Sequence, residues 1–197
     1  MATDDYRALA LGDLLDRLSA DGLAPGGGSA AALTVAFASR LVAMVARCSP
    51  GWPDAGGVVA QANAIGERAV ELAHTDGRAW EDALAALRDA ETKHGDDPRG
   101  DFSLEQKLEA AAAAPLEIAS LGADAAELAE LAGAHGEPTY RADAAAAAAL
   151  AAGGASAAAH LVRVNLGVRR DDGRLGLALA REQAAHEIAT RLRESSR

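Results

Sequence analysis

The chain has 197 residues, of which half are hydrophobic and only 3% aromatic, and its formal net charge is −10. This length suits one domain or at most two small ones, and we expect a single domain over residues 1–197. The negative charge argues against partners such as nucleic acid or an anionic membrane surface. The single cysteine, Cys48, excludes an internal disulfide and fits a reducing compartment.

Alanine makes up roughly a quarter of the chain. It is the best helix former and is depleted in strands. The composition therefore predicts an all-α protein whose helices approach one another closely.

The first predicted helix covers residues 4–20, and a loop follows over residues 21–28. The second, over residues 29–48, is apolar on nearly every face, which is typical of a central helix packed on several sides. One of its apolar stripes contains Leu33, Phe37, Leu41 and Met44, and another contains Val35, Ala38, Val42 and Val45.

The breaker segment SPGWPDAGG precedes a long third helix over residues 58–93. The fourth covers residues 102–134, with a kink expected at Pro115. The fifth begins near Tyr140 or Asp143 and continues to Gly167, with a bend at Gly153 and Gly154. A sixth covers residues 175–194. The sequence thus predicts a bundle of about six helices around a central apolar one.

The N-terminus has acidic residues where a secretory signal needs basic ones, and the longest apolar stretch, residues 30–46, is interrupted by Arg40. We expect a soluble, cytoplasmic protein without a membrane segment.

Three glycines, Gly26, Gly27 and Gly28, stand directly before the second helix. A dinucleotide fingerprint needs a preceding strand, and a phosphate loop needs a lysine, so both interpretations fail. Two remain open from the residues alone. The turn can present bare backbone N–H groups to a ligand, or it can be a tight turn in which Ser29 caps the helix.

Asp76 falls in the apolar stripe of the third helix, between Leu72 and the pair Ala79 and Trp80. Burial would raise the pKa of this carboxyl group toward neutrality, which suits a general acid or base. The alternative is a helix break at residues 75–77 that leaves Asp76 as a surface cap.

Asp143 reads on local grounds as an ordinary acidic residue in the first turn of a helix. The five histidines show no metal-ligand spacing, so no metal site is expected.

Several segments together resemble the cyclodeaminase/cyclohydrolase family of folate enzymes, over most of the chain. The most specific is APGGGSAAAL at residues 24–33, followed by the helix that carries Met44-Val45-Ala46. The others are DGRAW at residues 76–80, APLEIA at 114–119, RADAAAAAA at 141–149 and VNL at 164–166.

The resemblance implies an all-helical homodimer that acts on a tetrahydrofolate derivative, without a metal or redox cofactor, as a cyclodeaminase or a methenyltetrahydrofolate cyclohydrolase. It implies that Asp76 is the catalytic acid or base. The substrate-binding residues that it implies are Gly26, Gly27, Gly28, Ser29, Asp143 and Asn165.

Four segments depart from the family pattern. Residues 89–91 read DAE in place of L-P-K, with Lys93 the nearest lysine. This chain has Gly136-Glu137 where the family has G-N, Leu161-Val162 where it has N-V, and Ala142 where it has a serine. These departures leave an alternative open, namely a non-catalytic helical dimer that lost folate chemistry and binds another small molecule or a protein.

Overall fold

The computed structural model describes residues 6–21, 25–92, 98–166 and 172–195, with the side chains of 86, 87, 89–92 and 98–105 left out. Parts of the expected organisation therefore lie outside the described residues. These are the start of the first helix at Asp4, most of the loop before Gly26, the loop around residues 94–97, and the end of the fifth helix at Gly167.

The described residues form six α-helices and no strand, which confirms the predicted all-α class. In chain order they are α1 (Leu11–Ser19), α2 (Gly27–Arg47), α3 (Ala55–Thr92), α4 (Pro98–His135), α5 (Arg141–Asn165) and α6 (Gly173–Ser195). Two short 3-10 helices, Tyr6–Ala8 and Pro138–Tyr140, precede α1 and α5.

Helix α2 lies at the centre and packs against α3, α4 and α5. Its stripe of Val35, Val42 and Val45 is fully buried. The stripe that contains Phe37 is not, since Phe37 is 57% exposed. The expectation of a helix packed on several sides is confirmed for three neighbours, but within one chain the fourth side lies open.

Glycines allow α2, α4 and α5 to come close together. A Cβ on Gly154 would lie 2.6 Å from a methyl carbon of Val35, and a Cβ on Gly122 would lie 2.9 Å from that of Ala155. These are the close helix contacts that the alanine content predicts. Helix α5 is continuous through residues 153–154 and α4 through Pro115, so the bend and the kink expected there do not interrupt either helix.

The first predicted helix is only partly correct, because the chain forms a 3-10 turn at Tyr6–Ala8 and α1 begins at Leu11. The ring of Tyr6 stacks on His74 of α3 with 4.0 Å between centroids. The backbone N–H of Tyr6 also donates to the His74 ring at 3.3 Å. This contact with α3 competes with a straight continuation of the helix.

Four helices begin earlier than predicted, at Gly27 rather than residue 29, at Ala55 rather than 58, at Pro98 rather than 102, and at Gly173 rather than 175. In α3, the N–H of Val58 already donates to the carbonyl of Asp54. Glycine and proline therefore lie inside the first turns of these helices. Proline suits that position because its missing N–H has no helical partner there.

Two segments, Gly27–Arg47 and Pro138–Asn165, are long and apolar enough to cross a membrane by length and composition alone. Their most apolar windows are 61% and 50% buried inside the fold. We expected no membrane span at residues 30–46, but composition alone does not exclude one. Packing inside the bundle explains these apolar sequences equally well.

Candidate active site

A cavity of about 150 Å³ lies where the start of α2, the middle of α3 and the end of α5 meet. Three segments that are far apart in sequence form its wall. The lining residues are Gly26, Gly27, Gly28, Asp76, Gly77, Trp80, Leu161, Val164 and Asn165.

Asp76 brings a carboxyl group to this cavity. Helix α3 is continuous from Ala55 to Thr92, and Asp76 is only 9% exposed. The predicted burial is therefore confirmed, and the alternative of a helix break with a surface cap is wrong. The apolar period of α3 turns Asp76 toward α2 together with the buried Leu72 and Ala73, as expected for residues three and four apart.

Burial raises the pKa of Asp76 to about 6. Removal from water disfavours the charged form of a carboxyl group. The described residues supply neither a hydrogen bond nor an ion pair that would offset this. At neutral pH such a group can both accept and donate a proton at small cost.

The glycine turn is part of the same wall. Gly26 is the N-cap of α2 without a side-chain hydrogen bond, and its carbonyl accepts from the N–H of Ala30 at 3.0 Å. The helix therefore starts at Gly27, and the N–H groups at its beginning have no partner inside the helix. All three glycines face the cavity, as the ligand-facing interpretation requires.

Ser29 does not cap α2, so the capping alternative is wrong. It is the third residue of α2, fully buried, and its hydroxyl donates to the carbonyl oxygen of Ala73 in α3 at 2.7 Å. Ser29 thus joins α2 to α3 and does not line the cavity. Its binding role stays a prediction.

Asn165 closes the cavity from the last turn of α5. Its side-chain amide donates to the carbonyl oxygen of Ala111 in α4 at 2.9 Å. This bond fixes the orientation of the amide and leaves its oxygen as an acceptor.

Asp143 is not brought to this cavity within the chain. It lies in the first turn of α5, whereas Asn165 is the last residue of the same helix. At 1.5 Å per residue the two are separated by about 33 Å. A role for Asp143 in binding stays a prediction, and in one chain its position is that of an ordinary acid in a first helical turn.

Sequence reasoning did not place Gly77, Trp80, Leu161 or Val164 in the site. Trp80 gave a signal, because it follows Asp76 by one helical turn and so shares its face. Leu161 lies one helical turn before Asn165, and Val164 lies directly before it. The contact of the α5 end with the start of α2 is tertiary, and no local pattern reports it.

Comparison with known proteins now decides the family. The model of the formiminotransferase-cyclodeaminase family matches residues 10–181. The chain belongs to this family. The fold is also similar to that of formiminotetrahydrofolate cyclodeaminase from Thermotoga maritima, with a TM-score of 0.81 and 21% identity, over 96% of this chain and 98% of the other. No curated protein matches in a sequence comparison.

The departures from the family pattern lie mostly away from the cavity. Gly136, Glu137 and Ala142 lie beside the start of α5, at the other end of that helix. Leu161 is the exception, since it lines the cavity. Residues 89–91 have undescribed side chains, and Lys93 lies outside the described residues. In the part of the chain that the structure describes, no group of three or more His, Cys, Asp and Glu residues could hold a metal ion.

Proposed function

We propose that the protein is a folate-dependent one-carbon enzyme, of the cyclodeaminase or methenyltetrahydrofolate cyclohydrolase type, with Asp76 as its general acid and base. The observation that carries this proposal is the buried carboxyl group of Asp76 in the wall of a cavity, with a pKa of about 6 and no hydrogen-bond or ion-pair partner among the described residues. Membership of the family supplies the substrate class.

In the cyclodeaminase direction, one carboxyl group is sufficient for the proton transfers. The formimino group enters protonated, as –CH=NH₂⁺. When N10 of formiminotetrahydrofolate attacks its carbon, a new C–N bond forms, the former imino nitrogen becomes an amino group, and N10 must lose its proton. The Asp76 carboxylate accepts that proton and passes it to the amino group on the same carbon. The C–N bond to that group then breaks, ammonia leaves, and the methenyl ring remains, so that the enzyme returns to its starting state.

In the cyclohydrolase direction, the same carboxylate removes a proton from the water that attacks the methenyl carbon, and a C–O bond forms. The bond from that carbon to one ring nitrogen then breaks, Asp76 returns the proton to that nitrogen, and the hydroxyl proton is released to solvent as the formyl group forms. Positioned general acids and bases contribute about 10²–10⁴-fold to a rate. The aliphatic and aromatic walls contributed by Leu161, Val164 and Trp80 suit a flat heterocycle, because ligand sites are mostly apolar with a few placed polar groups.

The experiment compares purified wild type with Asp76→Asn on both substrates, with ammonia release and the absorbance of the methenyl compound as readouts. We expect turnover of one substrate by the wild type and a loss of about 10²–10⁴-fold in the variant. Equal turnover by the two proteins would remove Asp76 from this role. A wild type that neither turns over nor is stabilised by tetrahydrofolate would favour the non-catalytic alternative.

A homodimer in the cytoplasm is part of the same proposal. The open side of α2 carries Phe37, which is 57% exposed, flanked by the partly buried Leu33 and Leu41. Exposed apolar patches on a helix of this kind are typical of interfaces. We expect Phe37→Glu to convert the dimer into monomers in light-scattering measurements. The control is Leu177→Glu, at a comparably exposed position on α6, which packs on α4 and α5 instead. Monomeric wild type would contradict the proposal.

A further inference from the structure

The second residue of α2, Gly28, occupies an unusual position relative to Asp76. If Gly28 carried a Cβ, that atom would collide with Cγ, Oδ1 and Oδ2 of Asp76. The whole carboxyl group therefore lies in the space where the side chain of residue 28 would begin. Any residue other than glycine must displace it.

The preceding glycine provides an internal comparison. A Cβ on Gly27 would meet only a methyl carbon of Leu161, at 4.0 Å, which is an ordinary van der Waals contact. Both glycines line the cavity and stand next to each other in the first turn of α2. Only Gly28 is in contact with the carboxyl group.

The backbone beneath the carboxyl group is held in place. Ser29 is fully buried, and its hydroxyl is bonded to the carbonyl oxygen of Ala73, three residues before Asp76. The following residues Ala31 and Ala32 are buried as well. When space at residue 28 is filled, the short side chain of Asp76 can rotate more easily than α2 can move away from α3.

No other titratable side chain faces Asp76 among the described lining residues. Helix α2 contributes the three glycines, and α3 contributes Gly77 and Trp80 besides Asp76 itself. Helix α5 contributes Leu161, Val164 and Asn165, which carry no charge. The protonation of Asp76 therefore depends on how deeply the carboxyl group lies against α2.

We propose that Gly28 is a positioning residue for Asp76, because the absence of a side chain at residue 28 creates the space in which the carboxyl group is held against α2. The position and titration of Asp76 follow from the geometry alone. The consequence for catalysis rests on the function proposed above.

The test follows the titration of Asp76 by carbon NMR of its carboxyl group, in wild type, Gly28→Ala and Gly27→Ala. We expect wild type and Gly27→Ala to titrate near pH 6, as burial of Asp76 implies. In Gly28→Ala the carboxyl group rotates toward water, so its pKa should fall to about 4, the ordinary aspartate value. An unchanged titration in Gly28→Ala, or an equal change in Gly27→Ala, would overturn the proposal.

A double-mutant cycle, measured by thermal unfolding, gives an independent result that does not need enzyme activity. Near pH 4, where the buried carboxyl group is neutral and its ionisation costs no stability, Gly28→Ala should lower the Tm of the wild type but not of Asp76→Ala, in which the colliding atoms are absent. The same loss in both backgrounds would mean that Gly28 acts on the backbone and not through Asp76.

If the wild type is active, Gly28→Ala should lose about 100-fold in kcat, the effect of a misplaced catalytic group, with a smaller change in KM. If the wild type has no folate activity, the proposed function fails, while the titration and the double-mutant cycle still decide the role of Gly28.

Discussion

The two ends of α2 are built from similar residues but differ in how their polar groups are satisfied. At the C-terminal end, the hydroxyl of Ser49 donates to the carbonyl of Val45 at 2.7 Å and accepts from the N–H of Glu137 at 2.9 Å. At the N-terminal end, Ser29 is bonded to α3, but the nearby carboxyl group of Asp76 has no hydrogen-bond or ion-pair partner among the residues that the structure describes. The first arrangement is that of a structural junction. The second leaves a buried polar group facing a cavity, and such groups call for a functional explanation.

The largest expected difference between the two ends is in turnover. Asp76→Asn should reduce the rate of folate conversion by about 10²–10⁴-fold, because the amide can no longer accept a proton. Ser49→Ala at the opposite end should leave the rate per folded molecule unchanged. Steady-state assays on both variants measure this, and a comparable loss in Ser49→Ala would erase the distinction.

The second prediction concerns stability and pH. The pKa of Asp76 is raised to about 6 in the folded protein from 3.8, so the unfolded state releases this proton first as pH rises. The carboxyl group therefore lowers the free energy of unfolding progressively between about pH 4 and pH 6. At pH 7 this cost is about 2 kcal/mol after allowance for water in the cavity.

Asp76→Asn cannot ionise and should be more stable than wild type by about 2 kcal/mol at pH 7, with no difference below pH 4. Urea unfolding at pH 4 and pH 7 measures this. If Asp76→Asn were less stable than wild type at pH 7, the Asp76 carboxylate would have hydrogen-bond partners, as the hydroxyl of Ser49 at the C-terminal end of α2 has. Gain in stability with loss of activity is typical of functional residues.

The third prediction compares glycines at the two ends. A Cβ on Gly136 would collide with the carbonyl oxygen of Ala132 and lie 3.1 Å from Oγ of Ser49. That carbonyl belongs to the backbone of α4 and cannot rotate away, unlike the carboxyl group beside Gly28. We expect Gly136→Ala to lower the free energy of unfolding by about 2 kcal/mol, at every pH. Urea unfolding measures both variants. A larger loss in the free energy of unfolding for Gly28→Ala than for Gly136→Ala would contradict this prediction.

The smallest effect is expected for Ser29→Ala, which removes the bond to Ala73. The Ala73 carbonyl lies inside α3 and can keep its helical partner, so the loss should be about 1 kcal/mol. Thermal unfolding measures it, with Ser156→Ala as control, because Ser156 is exposed and its hydroxyl donates to the exposed carboxylate of Glu182. Equal losses in the two variants would show that the α2–α3 junction adds no specific stability.

The fold was largely predictable because its strongest signals are local. Alanine content and apolar periodicity report helices directly, and the period of α3 placed Asp76 on the buried side. Helix starts were less accurate, because Gly27 and Pro98 were assigned to the loops before their helices although both lie within first turns. Propensity alone does not distinguish a glycine before a helix from one inside it.

The site was only partly predictable for a different reason. The glycines and Asp76 belong to recognisable segments, and both line the cavity. Leu161 and Val164 come from the far end of the chain and arrive through the packing of α5 on α2. The distance between Asp143 and Asn165 also follows only from the single continuous helix that joins them.

The close seam where Gly154 of α5 faces Val35 of α2 has a consequence for how this molecule tolerates change. Its core is filled mainly by alanine and glycine, so truncation has little left to remove. Enlargement is the harmful direction, because added methyl groups in a filled seam force neighbouring atoms apart. Along α2, α4 and α5, selection should therefore act strongly against larger side chains at the alanine and glycine positions.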